Sequence, residues 1–587
     1  MRAIVSSLRR NALGQLRAPK LSVSCLTRTT WPQCGPHHAV QRILKAPKER
    51  LYHTSHEEPT IYALSSANGR AAIAVIRVSG SACRQIYKGL CPSTSFPKPR
   101  YATLRKLYAP GLPPSPTTIL DSGALVLYFP APNTVTGEDV LELHVHGGPA
   151  IVRAVLAAIP ECAKASEGLG SVRKQIRYAE PGEFTRRAFA NNRMDLPQIE
   201  SLGETLSAST EQQRTISVRG TNSSLALRYE YWRMLLLQAR GELEALIDFS
   251  EDQHFDESPA VLCANVAAQV HVLQAQMELH IANAVRGELL RNGISVALLG
   301  APNAGKSSLL NRIVGRDAAI VSQEAGTTRD VVEIGLDLGG WLVKIGDMAG
   351  LRRPGVAGAD IVGPVEQEGI RRAKQRALES DVLIVVQDAT AEMDPEVMET
   401  AKQCVDMGIQ VIVALNKCDQ LHTFQLSRTA WEDKIRSTLR LPNNRLCFIS
   451  CRSPMTSSDT WKSDNISTFL TTLQDTFKFM TAALVPDSDP DPSIWQESLG
   501  ATERQRLLLS ECLSHLSAFI TTVADPSADS TRSGEDEPGE ADEVDIVVAA
   551  ECLRSAADAL ARITGRGDSG DVEEVLGVVF EKFCVGK

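Results

Sequence analysis

The 587-residue sequence contains no apolar run that approaches the roughly 20 residues needed to cross a bilayer, which argues against a membrane span. Its 13 cysteines are scattered without paired C-x-x-C spacing. The two closest, Cys447 and Cys451, are too isolated to form a zinc site. Such cysteine usage is typical of reduced thiols in a reducing compartment.

Acidic residues are missing from the beginning of the chain, where the first one is Glu49. The segment before it is rich in Arg and Ser and lacks the long apolar core of a secretory signal. This composition predicts a mitochondrial transit peptide over residues 1–52, with cleavage near Tyr52. The alternative is a basic, disordered tail.

The rest of the chain is acidic. Residues 1–52 hold ten Lys or Arg and one acid, so their removal would change the formal charge from −8 to about −17. An acidic chain of this kind does not indicate nucleic-acid binding, because contact with phosphates needs a concentrated basic face. If RNA is the substrate, we expect a partner to provide most of the binding.

The composition, with 43% hydrophobic and 22% charged residues, is that of an ordinary globular protein, and the length predicts three or four domains. Short strands broken by Gly and Pro predict an α+β domain over residues 59–180. Apolar residues spaced by three and four then predict helices over residues 181–290. Over residues 291–482 strands alternate with helices, which indicates a mostly parallel, doubly wound sheet.

Helical spacing returns over residues 483–587. Within this stretch an acidic loop at residues 525–543 lacks apolar residues and is predicted to be disordered. The simplest fold class is therefore multidomain α/β plus α. In that architecture an α/β domain is inserted between the two halves of a helical domain.

The segment GAPNAGKSS fits the phosphate-loop pattern G-x-x-x-x-G-K-[ST] and lies between a predicted strand and a predicted helix. Backbone N–H groups of such a loop and the N-terminus of the helix bind phosphate oxygens. We expect Lys306 to reach the β and γ phosphates and Ser307 to bind magnesium. The predicted nucleotide-binding residues of this loop are Asn303, Ala304, Gly305, Lys306, Ser307 and Ser308.

The segment NKCD, which follows an apolar strand, indicates which nucleotide is bound. Asp419 can accept the two donors on the Watson–Crick edge of guanine, whereas adenine presents an acceptor there and would leave a buried charge unpaired. Asn416 and the stem of Lys417 would complete the base pocket. By itself NKCD is a common surface turn, but after a phosphate loop it predicts GTP.

Two further segments, GTTRD and DMAG, predict loops that respond to the γ phosphate. Thr328 can bring its hydroxyl to magnesium, Asp347 can hold the metal's ligand shell, and the Gly350 N–H can contact the γ phosphate. Leu351 stands where many small GTPases carry a water-positioning Gln, so the catalytic group must come from elsewhere. Glu366 is the best carboxylate available, and the alternative for it is a solvated helix carboxylate.

With these motifs assembled, the chain resembles the tRNA-modification GTPases of the MnmE (TrmE) type in their mitochondrial form. The resemblance covers residues 59–587 and rests on TGEDVLELHVHGGP, PGEFTRRAFANNRMDLPQIES, GAPNAGKSSLLN, AAIVSQEAGTTRD, NKCD and the terminal FCVGK. It implies an N-terminal folate-binding domain, a helical domain and an inserted GTPase domain. It also implies a homodimer that acts with an FAD-dependent partner of the MnmG (GidA) type. The implied reaction adds a carboxymethylaminomethyl or taurine-derived group to carbon five of the wobble uridine in tRNA.

The resemblance further implies a potassium ion beside the phosphates when two GTPase domains meet. A fixed cation there offsets the charge that develops in phosphoryl transfer, as an arginine finger would. The matching potassium ligands are Asn303, Ser322, Glu324 and Thr327, and Thr327 is also expected to contact GTP. Glu366 aligns with the family's water-orienting glutamate, after a segment, RRPGVAGADIVGP, that is longer than in bacterial relatives.

A folate site in the N-terminal domain is also implied, for a tetrahydrofolate derivative of the formyl or methylene type. A carboxylate suits the donor edge of a pterin, and cations suit a glutamyl tail. The alternative for each of these residues is an ordinary surface ion. The matching contacts are Arg77, Glu142, Arg193 and Lys587. His144 and His146 share one face of a strand and are expected to be structural, since no third metal ligand is in view.

The sequence departs from the family's pattern at two of the expected site positions. Arg193 stands where the family more often has Lys, which keeps the charge but changes the geometry. Cys451 follows Ser450 where Ala is usual, in the segment expected to cap the guanine. Ser450 and Cys451 are therefore expected GTP contacts that rest on the backbone of this segment.

The terminal FCVGK places Cys584 three residues before the end of the sequence. A thiol so close to a chain end is ordinarily a surface group. By resemblance, however, the tail folds back toward the folate pocket across the dimer. Cys584 then becomes a candidate for tRNA chemistry, as nucleophile, acid or positioning group.

We therefore expect a GTPase of the mitochondrial matrix that acts in wobble-uridine modification, with GTP hydrolysis driving closure and reopening of its GTPase domains. The rival interpretation is a GTP-dependent assembly or binding factor, for instance for mitochondrial ribosomes, without covalent chemistry of its own. Both share the phosphate loop, so the discriminating features are Arg77, Glu142 and Cys584.

Overall fold

The structure is a computed structural model of the chain. It describes residues 58–164, 175–221, 224–249, 259–316, 318–323, 334–345, 364–421, 424–452, 465–486, 492–524 and 545–565. These residues form two compact units. The described part of the first unit lies within residues 58–203, 220–274 and 507–565, and that of the second within residues 204–219 and 275–506. None of the described helices combines the length and the apolar character that a membrane crossing requires.

A six-stranded sheet forms the N-terminal part of the first unit. Its strands are β1 (Thr60–Leu64), β2 (Ile73–Ser79), β3 (Thr103–Tyr108), β4 (Ile119–Phe129), β5 (Val140–His146) and β6 (Ile176–Tyr178). They lie in the order β3-β4-β5-β2-β1-β6, with antiparallel pairs except between β1 and β6. Alternate residues of β5 are buried, which leaves Glu142 and His144 on the other, more accessible face.

Two helices, α1 (Cys83–Leu90) and α2 (Pro149–Lys164), contribute to one core with this sheet. Tyr87 of α1 and Ile159 of α2 are fully buried there. Near β1, the opposite face is covered by Phe184 of α3 (Glu183–Ala190). Both faces of the sheet are therefore apolar at β1, which explains why its residues Thr60 to Ala63 are all buried.

Helices form the remainder of the first unit. The helices that supply its residues are α4 (Leu196–Ser207), α6 (Ser224–Phe249), α7 (Pro259–Asn292), α14 (Glu503–Ala524) and α15 (Ile546–Thr564). Of these, α4, α7 and α14 also supply residues to the second unit. Helix α15 packs on α6, and its buried face is rich in Ala, so the two helix axes can approach closely. The hydroxyl of Thr564 donates to Glu230 Oε1 at 2.9 Å and joins the end of α15 to α6.

The second unit is built on a seven-stranded sheet. Its strands are β7 (Ile294–Leu299), β8 (Ala318–Gln323), β9 (Ile334–Leu338), β10 (Trp341–Ile345), β11 (Val382–Asp388), β12 (Gln410–Asn416) and β13 (Leu446–Phe448). The order is β13-β12-β11-β7-β10-β9-β8. The first five strands in this order are parallel, and β9 and β8 continue the sheet in antiparallel fashion.

Strand β11 shows why this sheet is covered on both faces. Val382, Ile384 and Val386 point into one apolar core, and Leu383 and Val385 point into another on the opposite side. The helices of the second unit are α5 (Glu211–Gly220), α8 (Lys306–Arg316), α9 (Pro364–Glu379), α10 (Pro395–Asp406), α11 (Phe424–Leu439), α12 (Asn465–Thr481) and α13 (Pro492–Ser498). The sequence pattern of continuous apolar strands alternating with helices predicted this arrangement, and the prediction is confirmed.

The α+β composition predicted for residues 59–180 is also confirmed, because strands β2, β4 and β5 and helix α2 lie within this range. The predicted domain boundaries stay predictions. The predicted transit peptide, residues 1–52, and the acidic loop, residues 525–543, lie outside the described residues.

Two residues of helix α7 that lack apolar side chains, Asn283 and Gly287, contact the segments that follow α12 and α13. Buried Asn283 donates to Leu484 O at 3.0 Å and accepts from Leu484 N at 2.6 Å. One turn further on, a Cβ added at Gly287 would lie 1.8 Å from Leu499 O. The helix can approach this backbone only because residue 287 has no side chain.

We predict that Gly287→Ala lowers the free energy of unfolding of the second unit by about 1–3 kcal/mol, because the added methyl would force the helix away from Leu499. Gly241→Ala is the matched control, since a Cβ at this helical position meets nothing within 4 Å. There the substitution should stabilise by about 1 kcal/mol through helix propensity. Urea unfolding measures both variants, and equal effects would contradict the predicted contact.

Candidate functional site

The carboxyl ends of four parallel strands meet at one edge of the seven-stranded sheet. Because β13, β12, β11 and β7 are adjacent and parallel, the loops that follow them begin side by side. This edge is where open α/β sheets bind ligands. The loops carry the phosphate-loop motif after β7, Asp388 at the end of β11, NKCD after β12, and Ser450 with Cys451 after β13.

The phosphate loop runs from Gly300 to Gly305 and leads directly into α8. Asn303 and Gly305 have positive φ angles of 63° and 103°. A Cβ at Gly305 would lie 2.1 Å from Asn416 Nδ2, so only glycine allows this approach. Ala304 is buried, Ser307 is half-buried in the first turn of α8, and Ser308 is exposed.

Lys306 begins α8 and turns its ammonium group back over the loop. Its Nζ donates to Gly300 O at 2.6 Å and to Ala301 O at 3.0 Å. These acceptors are neutral carbonyls, so the positive charge of Lys306 is not neutralised by them. A phosphate would offer stronger, charge-assisted hydrogen bonds to the same ammonium group.

Asn416, the first residue of NKCD, is 2% exposed and lies between two loops. Its Nδ2 donates to Ala304 O at 2.9 Å, and its Oδ1 accepts from Cys451 N at 3.2 Å. The side-chain amide thus joins the phosphate loop to the loop after β13. Sequence reasoning placed Asn416 at the base pocket, and the structure places its side chain against the backbone of both loops.

Lys417 has a φ of 62°, and its Nζ donates to Asp388 Oδ2 at 2.6 Å. The other oxygen of Asp388 accepts from the backbone N and the hydroxyl of Thr390, at 2.9 and 2.7 Å. Burial works to raise the pKa of Asp388, but the hydrogen bonds from Lys417 and Thr390 outweigh it and lower that pKa below its ordinary value. Asp388 is therefore ionised at neutral pH and keeps the stem of Lys417 in place.

Asp419 is exposed, and its Oδ1 accepts from the hydroxyl of Ser450 at 2.7 Å. An ionised carboxylate has about four acceptor positions, and this bond uses one of them. Asp419 can therefore accept further N–H donors from a ligand. This acceptor capacity is what recognition of the guanine edge needs.

The two cysteines of this edge act as packing groups. Burial raises the pKa of the Cys451 thiol to about 11, and that of the Cys418 thiol to about 12. The Cys418 Sγ donates to Leu415 O at 3.2 Å, and Cys451 packs against the core of the sheet. Both thiols are protonated at neutral pH, so neither is a reactive thiolate.

The second candidate site lies on the six-stranded sheet, where Arg77 of β2 is directly opposite Glu142 of β5. Arg77 Nε donates to Glu142 Oε1 at 3.0 Å, and its guanidinium carbon lies 5.9 Å from the centre of the Phe184 ring. His144 Nε2 is 3.4 Å from Glu142 Oε2. The structure thus brings together two of the predicted folate contacts. Arg193 instead donates from Nε to Thr134 O at 2.9 Å.

His146 pairs with Asp121, whose side chain is fully buried. His146 Nδ1 and backbone N each lie 2.8 Å from an Asp121 oxygen, and Gly123 N donates to the same carboxylate. Burial works to raise the pKa of Asp121, and these hydrogen bonds outweigh it and lower the pKa. The pair is a local brace between β4 and β5, as a structural histidine would provide.

The segment PGEFTRRAFANNRMDLPQIES also supplies structural ion pairs. Arg187 is almost fully buried and pairs with Glu138 at 3.0 Å and with Glu183 at 3.1 Å. It also donates to Pro59 O at 2.7 Å. Arg187 therefore joins α3 to the residue before β1 and to the loop before β5.

Comparison with known proteins gives two matching family profiles. They are "GTP-binding protein TrmE N-terminus" over residues 60–193 and "MnmE helical domain" over residues 196–584. This chain belongs to the MnmE (TrmE) family of tRNA modification GTPases. The six-stranded sheet lies within the residues that match the TrmE N-terminus, and the phosphate loop lies within the residues that match the MnmE helical domain.

Relatives of this MnmE-family chain match almost its full length. It is 35% identical to "tRNA modification GTPase mss1, mitochondrial" of Schizosaccharomyces pombe, over 91% of this chain and 96% of the relative. It is 37% identical to "tRNA modification GTPase MnmE" of Paramagnetospirillum magneticum, over 90% and 99%. It is also 37% identical to "5-taurinomethyluridine-[tRNA] synthase subunit GTPB3, mitochondrial" of Danio rerio, over 90% and 93%.

Several predicted site residues of this MnmE-family chain lie outside the described residues. They are Glu324, Thr327, Thr328, Asp347, Gly350, Cys584 and Lys587. For Ser322 in β8 and Glu366 in α9 the structure describes the backbone alone. In the described segments no group of three or more His, Cys, Asp or Glu side chains could hold a metal ion. The described part of the predicted magnesium site is the Ser307 hydroxyl, a hard oxygen donor that fits this ion.

Sequence reasoning missed Asp388 and its neighbour Gln387. Buried Gln387 donates from Nε2 to Asp388 O at 2.9 Å and to Glu392 O at 3.2 Å, and so shapes the loop after β11. A signal was present in the sequence, because Asp388 ends an apolar strand as Asn416 does. The two residues are register partners across β11 and β12.

We predict that Asn416→Ala weakens GTP binding about tenfold or more, because Ala304 O and Cys451 N would both lose a buried partner. Asn443→Ala is the matched control, since the Asn443 side chain accepts a hydrogen bond from Arg436 at an exposed position of the same unit. Titration with a fluorescent GTP analogue in the presence of magnesium measures both. Equal affinities for the two variants would show that the amide link does not organise the site.

Proposed function

We propose that this chain is the GTP-hydrolysing subunit of mitochondrial tRNA wobble-uridine modification. It acts on carbon five of the wobble uridine, which receives a carboxymethylaminomethyl or taurine-type group. Family membership supports the tRNA reaction, and the mitochondrial relatives from fission yeast and zebrafish support a mitochondrial location. Within the mitochondrion, the matrix is the proposed compartment. Residues 1–52 would be the targeting segment that is removed after import.

The observation that carries the proposal is the link made by Asn416. Through this amide the loop that would bind phosphates and the loop that would cap the base share one support. Asp419 lies beside the second loop with acceptor positions to spare. The pair of motifs would thus recognise GTP as a whole, with Asp419 selecting guanine over adenine.

In hydrolysis Lys306 would exchange its carbonyl partners for the β and γ phosphates. Ser307, with Thr328, would hold magnesium, which neutralises charge on the phosphates. Asp347 would support the metal's ligand shell, and Gly350 would sense the γ phosphate. Glu366 would orient the attacking water, since Leu351 cannot.

Potassium would complete the catalytic machinery when two GTPase domains meet in the homodimer. Asn303, which has a positive φ in the phosphate loop, would be one potassium ligand. Ser322, Glu324 and Thr327 would supply the remaining oxygens. The bound cation would take the place of an arginine finger.

The six-stranded sheet would bind the tetrahydrofolate derivative. Arg77 and Glu142 are partly accessible and neutralise each other, so together they would meet the pterin and the glutamyl tail as a preformed pair. Arg193 and Lys587 would add positive charge. Cys584 of the tail would act in the tRNA chemistry, together with an FAD-dependent partner of the MnmG type.

Analysis of mitochondrial tRNA by mass spectrometry after gene deletion tests the proposed function. We predict that the wobble uridine loses its modification and that the wild-type gene restores it. Lys306→Ala should fail to restore it, because the phosphates lose their cation. Lys402→Ala, at an exposed position of the same unit, is the matched control and should restore it.

Normal wobble uridine together with defective ribosomes would contradict this function. That outcome would support the rival interpretation, a GTP-dependent ribosome-assembly factor.

Measurement of GTP turnover in potassium and in sodium salts at equal ionic strength tests the cation site. We predict turnover about tenfold or more faster in potassium, because a fixed charge at the phosphates lowers the barrier. In Asn303→Ala the difference between the two salts should shrink. Equal rates of the wild type in both salts would refute the potassium site and leave the tRNA function untouched.

A further inference from the structure

Charge is unevenly distributed along this acidic chain. Residues 59–120 contain eight Lys or Arg and no Asp or Glu, although the whole chain has a formal charge of −8. Six of the eight belong to one stretch of the first unit, residues 83–108, which comprises α1, the loop after it and β3. These six are Arg84, Lys88, Lys98, Arg100, Arg105 and Lys106, and we call the surface they form the β3 edge.

Strand β3 is the outermost strand at one side of the six-stranded sheet. On β3, the alternation of side chains directs Arg105 to one face of the sheet and Lys106 to the other. Arg105 reaches α1, where its Nε donates to Tyr87 OH at 2.8 Å. Arg84 and Lys88 are both exposed and lie four residues apart on the outer face of α1. The cations therefore surround the strand from both sides.

The arginines of the β3 edge are held by neutral groups. Arg105 also donates to Ser95 O at 3.4 Å, and Arg100 donates to Asn133 O. The guanidinium carbon of Arg84 lies 4.7 Å from the centre of the Phe96 ring. Within the described residues, none of the six cations forms an ion pair with a carboxylate. Hydrogen bonds to carbonyls and rings orient a guanidinium group without cancelling its charge.

The carboxylates of this sheet do not compensate the charge. Asp121 is fully buried and engaged by His146 and Gly123. Asp139 accepts a hydrogen bond from Ala131 N at 2.9 Å. It is also hydrogen-bonded to the Tyr128 hydroxyl, which interacts with Arg84 as well. Lys88, Lys98 and Lys106 are exposed. The net charge at the β3 edge is therefore positive.

Two large side chains stand exposed among these cations. Tyr101 and Leu104 are each 67% exposed, and they lie between Arg100 and Arg105 in the sequence. An exposed tyrosine ring between cations is the combination by which proteins stack unpaired bases while binding the backbone of single-stranded RNA. A flat anionic membrane would meet cations on one face only, whereas the cations here lie on both sides of β3.

We propose that the β3 edge binds the sugar–phosphate backbone of RNA, with Tyr101 available to stack on an unpaired base. The inference rests on the proposed function, in which this RNA is the tRNA substrate. It changes the expectation from composition, since the acidic chain does carry a concentrated basic face. The chain would then hold its own substrate instead of relying on a partner alone.

The test uses the purified full chain and a fluorescein-labelled mitochondrial tRNA transcript, with binding followed by anisotropy between 0.05 and about 0.3 M salt. The variant is Lys88→Gln, Lys98→Gln and Lys106→Gln combined. The matched control removes three exposed lysines of the second unit by Lys402→Gln, Lys434→Gln and Lys478→Gln. Both variants change the net charge equally.

We predict that the β3-edge variant binds tRNA on the order of 100-fold more weakly at 0.15 M salt, because each lost phosphate contact removes about fivefold. The slope of log affinity against log salt should fall by about two to three. The control should stay within about twofold of the wild type, because its lysines make no phosphate contact. A variant with Arg in place of each of the three lysines should bind tRNA like the wild type, because it keeps the positive charge. This result would show that the charge of the lysines, and not the packing of their side chains, is needed for binding. Thermal unfolding and GTP turnover without tRNA should match the wild type.

Equal affinity and equal salt slope in the wild type and the β3-edge variant would overturn the proposal. So would a wild-type chain that does not bind the transcript at all. Loss of binding to cardiolipin vesicles, or a change in oligomeric state, with tRNA affinity unchanged would assign the surface to a membrane or to a second copy. In these cases the wobble-uridine analysis still decides the proposed function separately.

Discussion

One buried amide, that of Asn416, constrains the nucleotide edge of the second unit. Its donor holds the phosphate loop at Ala304 and its acceptor holds the backbone at Cys451. The position of this amide also requires glycine at residue 305, because any side chain there would collide with the amide. Because the strands are parallel and adjacent, the loops after them start side by side. The Asn416 amide then sets the spacing between the phosphate loop and the loop after β13.

Around this point, charged groups are held by several partners at once. Asp388 receives Lys417 and Thr390, and Lys306 rests on two carbonyls. A charge held in this way loses little further freedom when a ligand arrives, because its position is already determined. Burial meanwhile keeps the thiols of Cys418 and Cys451 protonated, so cysteines at this edge add packing without adding charge.

The first unit separates its charges by location. Arg187, Glu183 and Glu138 form an ion-pair network that joins α3 to the loop before β5, and Arg77 with Glu142 forms a partly accessible pair across two strands. The cations of the β3 edge have no such partner among the described residues. Paired charges therefore serve the fold and the face that carries Arg77 and Glu142, while the cations of the β3 edge remain for an anionic ligand.

The sequence by itself determined the phosphate loop, the NKCD segment and the strand and helix types, because these depend on local spacing and on apolar periodicity. Only the tertiary structure decided which distant groups meet. The bond from Lys417 to Asp388 spans 29 residues, that from Asn416 to Ala304 spans 112, and the pair of Arg77 with Glu142 follows from strand register. Local patterns specify elements, but register and strand order decide contacts between residues far apart in the chain.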